Sequence, residues 1–232
     1  MTGIMEIVLA GILGVDLFLA ASSRLLSCIR WVAVQGILLA VLPLVMWQWS
    51  EGTPHMEGIL AAACNLLLKG ILLPGLLAAA MRKANVKREL EPFIGYSGSI
   101  LVIVLAGGGL FWLCGKIAPL PPPASLLALP VAFTTMAAGL FIIIARRKAI
   151  TQVIGFLVFE NGIAVFGTGM MLEHGLLVEL GVLLDVLVLV FIMGITLFQI
   201  SREFQHIDSD RLNQLDDSKM PVNADLSVEV EQ

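Results

Sequence analysis

Hydrophobic side chains fill seven runs along the chain, at approximately 4–21, 30–49, 58–81, 94–115, 126–145, 150–171 and 176–200, and charges or prolines interrupt every gap between them. Crossing about 30 Å of hydrocarbon at roughly 1.5 Å per residue takes a helix of about 20 residues, so each run is long enough to span a bilayer. The pattern predicts an all-α, polytopic membrane protein of seven transmembrane helices. Arg24 and Arg30 flank the first gap, Glu51 to Glu57 the second and Arg82 to Glu91 the third, while Lys116 to Pro123, with three successive prolines, forms the fourth.

The order of these runs contains a weak internal repeat. Runs one to three read as apolar helix, basic turn, apolar helix, acidic outer turn, apolar helix, and runs five to seven read the same way around Arg146-Arg147-Lys148 and Glu173. The fourth run supplies one extra crossing, so both triplets start from the same side and run in the same direction, unlike an inverted repeat. The chain then divides into a three-helix unit over 1–81, a basic loop with the linking helix and a Pro-rich outer loop over 82–125, a second three-helix unit over 126–200, and an acidic tail over 201–232.

Composition agrees with a bilayer: 58% of the residues are hydrophobic, 14% are charged, and the mean hydropathy is +0.95. A soluble domain of this length does not carry so few charges. The charge that is present is unevenly placed. The tail holds eight acidic side chains against three basic ones, and residues 1–200 hold ten against eleven. Arg24, Arg30, Arg82, Lys83, Lys87, Arg88, Arg146, Arg147 and Lys148 fall on one side of the predicted membrane, and Lys116 alone on the other. By the positive-inside rule the N-terminus lies outside and the tail in the cytoplasm. The tail, with few aromatic residues, is expected to be loosely ordered unless a partner orders it.

The N-terminus lacks the basic segment of a cleaved signal peptide, so the first run is read as a retained helix. Cys28, Cys64 and Cys114 have no metal or disulfide spacing and are read as packing residues. Phosphate-cradling glycine loops, Cys-x-x-Cys pairs and hydrolytic triads are missing from the sequence, and there is no basic patch suited to nucleic acid.

What remains is a set of ionisable residues inside apolar runs. Lys69, Glu160 and Asp185 each sit about nine to eleven residues into a helix, near the midplane, where a charge costs at least a few kcal/mol. A central lysine reaches water only through a cavity or a partner, so Lys69 is expected to face protein. Asn65 lies one turn before it, and Pro74 lacks the N–H that would engage the carbonyl of Gly70. Glu160 has Asn161 beside it, with Gly155 and Gly162 placed to let a neighbouring helix approach. Glu179 lies near the outer end of the seventh run, where it is either solvated or functional, and points about 120° away from Asp185, so the two cannot both face Glu160 directly and are candidates for successive stations.

These four are the primary candidates for proton translocation, with Asp16, Asn65 and Asn161 as secondary ones. Asp16 is expected nearer the cytoplasmic end, paired with Arg24 or water. Gln35 is a weaker candidate. His55 and His174 fall in outer turns and form no ligand cluster. Gly107-Gly108-Gly109 is read as a close-packing seam. For the buried lysine and carboxylates the structural alternative is an ion pair or hydrogen bond that only locks helices together.

Taken in sequence, Arg146-Arg147-Lys148-Ala149-Ile150-Thr151-Gln152-Val153-Ile154-Gly155, then Phe159-Glu160-Asn161-Gly162, then Leu177-Val178-Glu179-Leu180-Gly181 and Asp185, resemble hydrogenase-4 component E. Lys69-Gly70-Ile71-Leu72-Leu73-Pro74 and the tail pattern His206-Ile207-Asp208 with Leu212 and Leu215 extend the resemblance over most of the chain. That component is a membrane subunit of group 4 nickel-iron hydrogenases and formate hydrogenlyase complexes. Its C-terminal half is similar to the K subunit of complex I and the C subunit of Mrp antiporters, which carry a three-helix unit with a glutamate after a basic turn. Leu157 stands where the complex I glutamate would be, and Glu160 follows three residues later. The acid thus turns by about 300° and rises about 4.5 Å, staying near the same face.

The resemblance implies a subunit of the bacterial cytoplasmic membrane that assembles with antiporter-like and other membrane subunits. A peripheral hydrogenase arm would dock on the cytoplasmic side, with the tail as a candidate contact. It also implies that the nickel-iron centre and iron-sulfur clusters belong to partner polypeptides and that this chain holds no cofactor. Membership of a cation/proton antiporter and a purely architectural anchor are the alternatives that the residues leave open.

Overall fold

A computed structural model describes residues 2–46, 59, 62–63, 65–83, 94–117, 125–146 and 148–169, together with the single positions Val188, Ile192 and Gly194. Every regular element among the described residues is helical. Helix α1 runs Thr2–Ala21 and α2 runs Leu25–Met46. A widened π-helical turn, Leu66–Leu72, leads directly into α3, Leu73–Lys83. Helix α4 covers Tyr96–Cys114, α5 Ala128–Ala145 and α6 Ala149–Gly169.

Five of these helices, α1, α2, α4, α5 and α6, are each long and apolar enough to cross a membrane, and the chain is an integral membrane protein on that ground. Most of the predicted seventh run and the acidic tail lie outside the described residues. Val188 and Ile192 are helical and buried against the main hydrophobic cluster.

Boundaries of the described spans follow the apolar runs within a few residues, with one instructive difference. The second helix begins at Leu25, five residues before its predicted start, because the first turn needs only Ser22 to Arg24. Phe18 and Trp31 stack across that turn at 4.7 Å with ring planes 3° apart, which ties the end of α1 to the start of α2. Arg30 therefore lies within α2, exposed, rather than in the turn. At the opposite membrane edge, Lys116 lies 3.8 Å over the ring of Trp112, a cation–π contact of the kind suited to an interface.

Helices in lipid gain little from burying apolar surface against each other, so close backbone approach has to supply the attraction. The α5–α6 pair is built this way. Gly155, Gly162 and Gly169 are spaced by seven residues and so share one face of α6. A Cβ at Gly155 would lie 2.8 Å from the Ile143 nitrogen and 2.9 Å from the Gly139 oxygen, and one at Gly162 would lie 2.7 Å from the Met136 nitrogen. Of the predicted triple-glycine seam in α4, only Gly107 is closely packed, with Thr134 Cγ2 3.1 Å from an added Cβ; Gly108 and Gly109 meet nothing within 4 Å.

Gly36 performs the same role between α2 and the π-helical turn, since a Cβ there would come within 2.6 Å of the carbonyl carbon and oxygen of Lys69. Gly36→Ala is expected to cost about 1–3 kcal/mol through overpacking. Gly75→Ala, at an exposed helical site with nothing within 4 Å, is expected to be neutral or to stabilise by about 0.5–1 kcal/mol. Chemical denaturation of the two purified variants in the same detergent checks the contrast.

Candidate functional site

Two sets of polar side chains meet in the apolar interior. In the first, Lys69 Nζ lies 2.7 Å from Glu160 Oε1, and both residues are almost wholly enclosed, at 4% and 2% exposure. The lysine is carried by the π-helical turn. Pro74 has no N–H to return to the preceding turn and its ring crowds the Gly70 carbonyl, so a standard α-helix is penalised just here. The chain responds by widening, with the Leu73 N–H reaching back five residues to the Leu68 carbonyl. Local widening and the absence of a side chain at Gly36 together allow the Lys69 backbone to press against α2.

Glu160 sits about halfway along α6, on the helix held closely against α5. Sequence reasoning therefore placed both charges in the interior, and the tertiary structure adds that they face each other. Such a pair answers the cost of each separate charge, though two desolvated ions bring little net stability by themselves.

The second set links four helices. Asp16, with no exposed surface, accepts a hydrogen bond at Oδ1 from Gln35 Nε2 at 2.8 Å and at Oδ2 from Thr135 Oγ1 at 2.7 Å. Gln35 Oε1 in turn accepts from Asn161 Nδ2 at 3.2 Å. The path runs from α5 through α1 and α2 to α6, where Asn161 is the immediate neighbour of Glu160. The expected pairing of Asp16 with Arg24 is not what the structure contains. Arg24 is exposed near the membrane edge, whereas α5 crosses α1 so as to present Thr135 to the aspartate.

Gln35, a weaker candidate by sequence, is the central member of this set, and Thr135 joins it without being a sequence candidate. Membrane threonines commonly return their hydroxyl to the carbonyl four residues back, as Thr134 does to Pro130 at 2.7 Å and Thr168 to Ala164 at 2.7 Å. Nothing in the local sequence distinguishes Thr135 from them. A signal did exist for Gln35: Val32, Gln35, Gly36 and Ile37 recur as Val158, Asn161, Gly162 and Ile163, offset by 126 residues. The two amides so related are the ones that hydrogen-bond to each other.

Arg146 closes the basic edge of the site. It is 2% exposed, donates from Nη2 to the Ala20 carbonyl at 2.9 Å and lies 4.6 Å over the ring of Tyr96. Helix α1 ends with unsatisfied carbonyls, and a guanidinium there satisfies one of them while favouring the negative end of the helix dipole. Asn65 is half-buried and flanks the π-helical turn without a side-chain capping bond. Asp185 and Glu179 lie outside the described residues. Among the described residues, no three His, Cys, Asp or Glu side chains converge as a metal site would require.

The arrangement therefore encloses groups able to bind protons, with a cation–carboxylate pair at one end and a carboxylate held by neutral donors at the other. Uncharacterized protein Rv0085 of Mycobacterium tuberculosis is 31% identical to this chain over 196 residues, covering 82% of this chain and 86% of the mycobacterial protein. No protein-family model matches the chain. No solved structure matches it.

Proposed function

The chain belongs to the same family as Rv0085 of M. tuberculosis, and we propose that it is an integral membrane subunit of a group 4 nickel-iron hydrogenase or formate hydrogenlyase-type complex. In that role it contributes a lysine and carboxylates to proton translocation coupled to hydrogen-linked electron transfer. The observation that carries the reading is the enclosed Lys69–Glu160 pair at 2.7 Å, seated on a proline-induced π-helical turn. Intramembrane charges are costly and are generally kept for function, and π-bulges recur at functional positions. Movement of a cation toward or away from a buried carboxylate changes which protonation state is favoured, so a charge displacement in a neighbouring subunit can be converted into proton uptake or release.

The resemblance in the Arg146–Gly155, Phe159–Gly162 and Lys69–Pro74 segments directs this chemistry toward a hydrogenase membrane arm, with the redox centres in partner polypeptides. The Gln35-Gly36-Ile37 and Asn161-Gly162-Ile163 correspondence supports two three-helix units related by a parallel repeat. Seven crossings, an external N-terminus and a cytoplasmic tail in a bacterial inner membrane complete the proposal. Glu179 and Asp185 would continue the path along the seventh helix.

Glu160→Gln tests the role directly. In the assembled complex, reconstituted into vesicles and driven by its electron donor, this variant is expected to assemble normally and lose at least about a hundredfold in proton translocation, the lower end of the range for a positioned proton-transfer group. Intact assembly with undiminished proton movement would make the subunit an architectural anchor. Sodium movement independent of hydrogen or formate would assign it to a cation/proton antiporter instead. Recovery of the mildly solubilised complex with a large nickel-iron subunit and antiporter-like neighbours is the expected biochemical context.

A further inference from the structure

Asp16 is an enclosed carboxylate that the Lys69–Glu160 chemistry does not use. Both of its oxygens are engaged by neutral donors, Gln35 Nε2 at 2.8 Å and Thr135 Oγ1 at 2.7 Å. Among the described residues it has no ion pair. The charged groups around it are displaced along the helices: Arg146 at the Ala20 carbonyl one turn further on, exposed Glu6 toward the other end of α1, and the Lys69–Glu160 pair beyond Asn161.

Direction is the informative feature of this set. Asn161 donates to Gln35, Gln35 donates to Asp16, and Thr135 donates to Asp16. That is the pattern required by a carboxylate that can only accept. When a proton binds, one oxygen becomes an O–H donor and needs an acceptor. Thr135 can turn its hydroxyl to the carbonyl four residues back, as Thr134 already does. When the proton is on Oδ1, the oxygen that faces Gln35, the glutamine has to reverse its amide to offer Oε1, which withdraws the acceptor from Asn161 Nδ2. The Asn161 amide then has to reorient beside Glu160.

Resting on the translocation role proposed above, we infer that Asp16 is a second proton-binding station, coupled to the Lys69–Glu160 pair by reversal of the Gln35–Asn161 amide bridge. The proton enters as H⁺ and binds a carboxylate oxygen, and no other covalent bond is made or broken. The amides change orientation and carry no proton themselves. Thr135 is a positioning residue that holds the unprotonated form. Occupancy of Asp16 is thereby sensed one helix face away from the ion pair, without the two acids touching.

Infrared difference spectroscopy of the full chain in lipid nanodiscs, stepped through pH with the aspartate side-chain carboxyls labelled with carbon-13, reads this directly. An aspartic-acid C=O band is expected that is lost in Asp16→Asn. Its midpoint is expected to move by at least about fivefold in proton affinity in Glu160→Gln, the lower range of measured site–site coupling. Gln35→Leu should abolish that dependence on Glu160. Should Asp16→Asn fail to fold, Thr135→Val provides the second test, since loss of one donor should raise the proton affinity of the same band.

Absence of any band sensitive to Asp16 or Thr135 across the pH range of the folded protein overturns the inference, and so does an identical midpoint with and without Glu160. The titration needs neither partner subunits nor an electron donor. A coupled Asp16 band together with undiminished translocation in the Glu160→Gln complex would therefore sink the proposed function and leave the proton site standing.

Discussion

Lys69→Met is expected to destabilise the protein by about 3–5 kcal/mol, because it removes the cation that faces the enclosed Glu160 carboxylate. The double variant Lys69→Met/Glu160→Leu is expected to recover most of that loss. Replacing both members of a buried pair by apolar groups removes two desolvation penalties along with one attraction, and such exchanges are often neutral or stabilising. Equilibrium unfolding of the purified single and double variants in one detergent provides the cycle. A double variant as unstable as Lys69→Met alone would mean that the two charges are not energetically coupled. Recovery of stability without recovery of proton movement would separate the structural contribution of the pair from its chemical one.

Gly155→Leu is expected to have the next largest effect and to act by a different route. An added Cβ alone would lie 2.8 Å from the Ile143 nitrogen and 2.9 Å from the Gly139 oxygen, both backbone atoms that no side-chain rotation can move. Helices α5 and α6 would have to separate, removing the close contacts that hold them together in lipid and shifting Asn161 and Glu160 relative to Gln35 and Lys69. The expected cost is at or above the upper end of the usual overpacking range, about 3 kcal/mol. It should appear as a large fall in the yield of folded protein by size-exclusion chromatography. Gly14→Leu, at a helical glycine with nothing within 4 Å, is the control and should fold normally.

The two variants probe features of different legibility. Lys69 and Glu160 are conspicuous because each interrupts a long apolar run, and the cost of a charge in hydrocarbon makes such a residue informative by itself. The glycines of α6 are visible as residues, and their seven-residue spacing implies one shared face. Which helix that face meets is a separate matter. A membrane helix is apolar around its whole circumference, so the one-sided hydrophobic stripe that orients a helix in a soluble protein is missing. Thr135 shows the consequence: it has the same local setting as Thr134, yet one hydroxyl returns to its own helix and the other reaches Asp16, 119 residues away in the chain.

Sequence alone determined that the chain lives in a bilayer, where its described spans begin and end to within about five residues, and which charges stand inside them. Those properties follow from local hydration cost, which depends on residue type and run length. Only the tertiary structure decided that Lys69 meets Glu160, that Pro74 is accommodated by a widened turn packed on Gly36, and that Asp16 is held by Gln35 and Thr135 rather than by Arg24. Partner choice depends on how helices rotate and cross, and that is settled by close backbone packing and by satisfying every buried donor and acceptor at once.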